Sequence, residues 1–173
     1  MQPELAGTDR RAFALGIGGN EGDVQQSIRT CVSVLTEHRL VSDLRVSSVY
    51  RTSPWGDVQG GEFLNCAACG LWAGGDLELL HLCRSVEGLF SVPVNKNGAA
   101  RELDVDVLFL EGGVSSEELT LPHPRMAFRK FVLVPLCDVW FQAVPGLGYT
   151  PAELLKRVQD GSSIIFHSDL RSQ

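Results

Sequence analysis

Apolar residues recur along the chain in two alternating rhythms, and these set the predicted elements. Residues 12–18 (Ala-Phe-Ala-Leu-Gly-Ile-Gly) form a nearly continuous apolar run that predicts a buried strand, ended by the turn-forming series Gly18-Gly19-Asn20-Glu21-Gly22. Val24, Ile28, Cys31 and Leu35 then return at steps of four and three, which places them on one helical face with Gln25, Arg29 and Glu37 outside. Asp43–Tyr50 predicts a second strand, and Phe63–Trp72 a third after a loop over 52–61 rich in Gly, Pro and Asp. A turn at Gly74-Gly75-Asp76 opens a second helix carrying Leu77, Leu79, Leu80, Cys83, Val86 and Leu89.

Residues 91–100 predict a flexible loop and Leu103–Leu110 a fourth strand. The Pro-rich stretch Leu121–Arg125 predicts a turn, and Phe128–Val139 a helix interrupted near Pro135. Pro151, at a favourable first helical position, opens a last short helix with Leu154, Leu155 and Val158. Residues 1–11 are expected to be loosely attached, residues 12–166 to form the domain, and residues 167–173 to be a loose tail. The order strand, helix, strand, strand, helix, strand, followed by helices, is the α+β ferredoxin-like pattern: one antiparallel sheet with helices packed on it in a single domain.

Composition narrows the classes of function. The 173 residues are 44% hydrophobic, enough for a core without disulfides or a structural metal, and the formal net charge of −6 argues against a nucleic-acid binder. Residues 1–11 lack an apolar stretch of signal-peptide length, and no run approaches the ~18 apolar residues of a membrane span, so a cytoplasmic protein is expected. The odd number of cysteines, five, each in an apolar stretch, fits buried thiols in a reducing compartment. Cys66 and Cys69 stand three apart on a predicted strand and therefore point to opposite faces, which fits packing rather than metal or redox chemistry.

Three segments carry candidate chemistry. In Leu103-Asp104-Val105-Asp106-Val107-Leu108 the alternation puts both carboxylates on one face, roughly 7 Å apart, where they could hold Mg²⁺ and leave positions for phosphate oxygens. A solvated acidic edge is the plain alternative. In Thr120-Leu121-Pro122-His123-Pro124-Arg125, followed by Arg129 and Phe131, a histidine fixed between prolines lies near two arginines, a group able to grip phosphate or simply a solvated basic turn. Thr52-Ser53-Pro54-Trp55 and Phe63-Leu64-Asn65 offer an aromatic and an amide on one strand face, suited to a flat ligand rich in hydrogen bonds. The run Gly16–Gly22 fits neither G-x-G-x-x-G nor a Walker A loop and reads as a strand-to-helix turn.

Taken in order, these segments resemble the 6-hydroxymethyl-7,8-dihydropterin pyrophosphokinase family over about residues 12–137. Ala14–Asn20 is similar to its A-L-G-S-N opening, with Gly19 in place of serine. Ser47–Thr52 and Phe63–Asn65 resemble its S-S-x-Y-x-T and F/Y-L-N segments, and Glu87 falls where an Ile-Glu pair ends the second helix. Arg101–Asp106 resembles R-T-L-D-L-D, and Leu121–Arg125 with Arg129 and Phe131–Leu136 resembles L-P-H-P-R...R-x-F-V-L-x-P-L.

The resemblance implies an ATP-dependent diphosphokinase of folate biosynthesis, in which the pterin hydroxymethyl oxygen attacks the β-phosphorus of ATP and AMP leaves. It implies two Mg²⁺ ions on Asp104 and Asp106 and ATP as co-substrate. Phe63, Asn65 and Phe131 would bind the pterin, with Thr52, Ser53, Pro54 and Trp55 beside it. Arg84, Glu87, Arg101, Thr120, His123 and Arg129 would contact ATP, with Arg101, Asp104 and Asp106 catalytic. The implied partners are small molecules, with no nucleic acid or membrane, in a monomer or homodimer. One stretch departs from the family: residues 91–100 contain no arginine, and only Arg101 remains of its basic set, with Lys96 as a candidate substitute. That departure leaves open a catalytically weakened pterin- or ATP-binding relative with a regulatory or scaffolding role.

Overall fold

The computed structural model describes residues 10–53, 61–90 and 102–170. Pro54, Trp55, Arg101 and the 91–100 loop lie outside them. The first strand, β1 (Arg11–Gly19), leads into α1 (Val24–Glu37), whose start is fixed by Asp23 accepting the Gln26 amide at 3.0 Å. Val24, Ile28, Cys31 and Leu35 are all buried on α1, as the spacing predicts.

The predicted second strand is two strands, β2 (Val41–Val46) and β3 (Val49–Thr52). Both run antiparallel to β4 (Phe63–Trp72). The break at Ser47-Ser48 keeps its register because Ser47 is buried and bonds Ala67 twice, donating N–H to its carbonyl and accepting its amide on Oγ. Helix α2 (Asp76–Gly88) buries Leu79, Cys83 and Val86, whereas Leu77 and Leu89 face solvent. Strand β5 (Asp104–Leu110) follows the undescribed residues 91–101.

The sheet order is β5-β1-β4-β3, with β2 also on β4. This is the ferredoxin-like arrangement, the second strand being split in two. The chain after β5 departs from expectation. A small ribbon of β6 (Val114–Ser115) and β7 (Thr120–Leu121) precedes the proline turn, where the Leu121–Pro122 peptide is cis. Helix α3 (Lys130–Val139) begins after a 3-10 turn (Met126–Phe128) and runs through Pro135. Pro135 forfeits one backbone hydrogen bond, but Val132, Leu133, Leu136 and Val139 form a buried stripe on both sides of it, and that packing holds the helix together.

Helix α4 (Pro151–Leu155) starts as predicted, with Thr150 and Glu153 forming a capping box. The expected loose tail past Phe166 is instead partly a strand: β8 (Ile164–Ser168) pairs with β3 and closes that side of the sheet.

Two apolar clusters sandwich the sheet. One, under α1 and α2, contains Phe13, Leu15, Ile17, Cys66, Trp72, Val105 and Val107. The other, under α3 and α4, contains Ala14, Ala67, Cys69, Leu108, Phe109 and Leu133. Cys66 and Cys69 fall in opposite clusters, and all five thiols are free. Among the described residues, no helix is long and apolar enough to cross a membrane.

Candidate active site

The alternation of β5 sends Leu103, Val105 and Val107 into the first cluster and turns Asp104 and Asp106 to the α3 face. On that face the register is informative. Gly18 of β1 lies opposite both Asn65 on β4 and Asp104 on β5, and Gly16 lies opposite Asp106. Asn65, Gly18 and Asp104 therefore form one row across three strands, with about 10 Å between the outer two at ~4.8 Å per strand. The central glycine leaves the space between amide and carboxylate open. The glycines read in the sequence as a turn are thus also the floor of a cavity.

This cavity holds about 410 Å³, within the range of small-ligand sites. Its walls include Thr52, Ser53, Phe63 and Asn65 on one side and Asp104, Asp106, His123 and Arg129 on the other, with Phe131 also in the lining. The segments that carried separate hints in the sequence converge here. Arg125, Asn20, Leu108 and Val132 also line the cavity; of these the sequence pointed only to Arg125.

Local bonds orient the key groups. Asn65 Nδ2 donates to Thr52 Oγ1 at 2.8 Å, tying β4 to the end of β3. The His123 amide donates to Leu108 O at 2.7 Å, docking the proline turn onto the outer edge of β5. The Arg125 amide donates to His123 Nδ1 at 3.1 Å, which leaves Nε2 to carry the proton of the neutral ring. Burial lowers the His123 pKa, and Arg129 and Arg125 lower it further against the opposing pull of Asp106. Burial, with Arg125, also lowers Arg129, whose guanidinium lies 5.4 Å from the Phe131 ring centroid.

Glu87, at the end of α2, does not line the cavity. It reaches the acidic strand from α2, hydrogen-bonded to Asp104, and its Oε1 accepts the amide of Val105, the residue between the two aspartates, at 2.8 Å. Burial raises its carboxyl, and Asp104 and Asp106 raise it further, while the Val105 bond opposes them. Two other expected ATP contacts are not brought to the cavity. Arg84 is half-exposed and ion-paired with Glu118 at 3.5 Å, and Thr120 is exposed on β7.

The donor set fits magnesium in one respect: two carboxylates share a face and line a cavity. Among the described residues no three His, Cys, Asp or Glu side chains converge on one metal position, so its remaining ligands would be substrate oxygens and water, as magnesium prefers.

Comparison with known proteins identifies the family. The family model described as 7,8-dihydro-6-hydroxymethylpterin-pyrophosphokinase (HPPK) matches residues 14–141. A 2-amino-4-hydroxy-6-hydroxymethyldihydropteridine pyrophosphokinase of Methylorubrum extorquens is 36% identical over 149 residues, 86% of this chain and 93% of the relative. Its namesake in Bacillus subtilis is 34% identical over 126 residues, 72% and 75% of the two chains. A solved HPPK-DHPS chain, crystallised in complex with substrates, superposes with a TM-score of 0.60 at 12% identity. The match covers 86% of this chain and 43% of that one, and it supports the fold alone. With the family model spanning most of its length and relatives above 30% identity, the chain belongs to the HPPK family.

Proposed function

We propose that this protein transfers a diphosphate from MgATP to the hydroxymethyl group of 6-hydroxymethyl-7,8-dihydropterin, releasing AMP. The observation that carries the reading is that Asn65, Phe63, Phe131, Asp104, Asp106, His123 and Arg129 all line one cavity.

The pterin ring would lie between Phe63 and Phe131, with Asn65 in its plane supplying donor and acceptor. Asp104 and Asp106 would hold two Mg²⁺ ions, which when bound neutralise charge on the ATP phosphates. His123, donating from Nε2, and Arg129 would hold the polyphosphate on the opposite side. The new bond joins the pterin oxygen to the β-phosphorus, and the bond from that phosphorus to the α–β bridging oxygen breaks. The hydroxyl proton passes to solvent, and AMP departs with the bridging oxygen. Such transfer rests on alignment and charge stabilisation more than on covalent help from the protein.

By the family resemblance, Arg101 would act in catalysis, and Pro54 and Trp55 would contact the pterin. Five free thiols fit a reducing compartment such as the cytoplasm, and the reaction needs only small-molecule partners, in a monomer or homodimer. A ³¹P spectrum of the reaction mixture tests the reading. It predicts a pterin diphosphate ester together with AMP; ADP as the nucleotide product would contradict it.

A further inference from the structure

Asp160 is the one charged side chain among the buried polar residues described, 9% exposed. Aspartate is rarely buried to this degree without partners. Its partners are two backbone amides: Oδ2 accepts from Lys130 at 3.1 Å and Oδ1 from Ser162 at 2.8 Å. Lys130 is the first residue of α3, between Arg129 and Phe131, both of which line the cavity. A carboxylate there also answers the partial positive charge of the helix start.

From Ser162 the connection passes to the opposite wall. The Ser163 amide donates to Ser53 Oγ at 3.0 Å, and the Ser53 amide donates to Ser163 O at 3.1 Å. Ser53 lines the cavity, and the next residue along, Ile164, pairs with Thr52, the partner of Asn65. Residues 158–163 have no regular structure, so these amide bonds hold their path.

We infer that Asp160 is a positioning residue that fixes the spacing between the Phe131 wall and the Ser53–Thr52–Asn65 wall, and so sets the width of the slot for the flat ring. It does not line the cavity. The inference rests on the proposed function, because it assigns the slot to the pterin. It also makes the C-terminal segment part of the site's architecture rather than an appendage.

The test is binding by titration calorimetry to wild type, Asp160→Ala, Asp160→Asn and Ser53→Ala, with the oxidation-protected pterin and, separately, the Mg²⁺ complex of α,β-methylene ATP. Loss of a charge-assisted bond predicts that Asp160→Ala weakens pterin binding about tenfold and the nucleotide by less than about threefold. Asp160→Asn, which keeps one acceptor and the side-chain volume, should fall between and carries the test if the alanine variant does not fold. The Asp160→Ala and Ser53→Ala effects on the pterin should be less than additive, since both cut one connection. Wild-type pterin affinity in the folded variants, or equal loss for both ligands, would overturn the inference. A wild-type protein that binds no pterin would instead remove the proposed function, and the inference with it.

Discussion

Gly18 and Asn65 face each other across β1 and β4 so closely that a Cβ on Gly18 would overlap the Asn65 carboxamide oxygen and stand 2.9 Å from Leu64 O. The amide can hold its place, with Nδ2 on Thr52, because its neighbour has no side chain. Gly18→Ala should therefore displace Asn65 and weaken pterin binding about tenfold or more, the scale of a lost pair of oriented hydrogen bonds. Fluorescence titration with the pterin checks this, and an unchanged affinity would show that Asn65 does not set recognition.

The acidic pair and the pterin wall sit on different strands, which predicts separable effects. Asp104→Ala or Asp106→Ala should lower turnover by about a thousandfold or more, as loss of metal-assisted charge stabilisation does. Pterin affinity should stay within about threefold, because Asn65 and Phe63 are on β4, separated from the aspartates of β5 by the intervening strand β1. Steady-state rates and pterin titration on the same preparations separate the two.

Helix α3 carries Arg129 and Phe131 at its start and is anchored by a fully buried Leu133 against the sheet. Leu133→Ala should cost about 2–5 kcal/mol of stability, the transfer term plus the cavity left behind. Urea unfolding measures it, and a loss under about 1 kcal/mol would mean that α3 is not held by that stripe.

How much of this was legible in the sequence depended on the range of the contacts involved. The period of two in 103–108 placed Asp104 and Asp106 on one face, and the steps of three and four placed Cys31 inside α1; both are local rules and both hold. Pro135 misled because a local rule was overridden: the buried residues on either side of it pay for the missing bond. Strand β8 was missed because Ile164–Ser168 is short and follows no turn signal that names its partner; only the pairing with β3 makes it a strand. The same holds for the site. Glycines 16 and 18 announce a turn locally, while their service as a floor depends on what β4 and β5 place beside them. Asp160 gave no signal at all, since its partner Lys130 is thirty residues away.

Asp160 also carries a pH signature. Burial raises its carboxyl, but hydrogen bonds from Ser162 and Lys130 outweigh this and leave it below the ordinary carboxylate value. A depressed folded-state pKa contributes stability above the unfolded value, about 3.9, and that contribution is lost as pH falls through the folded one. The stability advantage of wild type over Asp160→Ala should therefore be full at pH 6–7 and shrink below about pH 4. Thermal melts across pH 3–7 check it, and a constant difference would contradict the assignment.

The most direct test of the central claim is AMP formation from ATP by the purified chain, with and without 6-hydroxymethyl-7,8-dihydropterin and with and without Mg²⁺. The account predicts AMP only when pterin and Mg²⁺ are both present, in one-to-one yield with the pterin diphosphate. Absence of AMP from a folded protein that binds both ligands would contradict it.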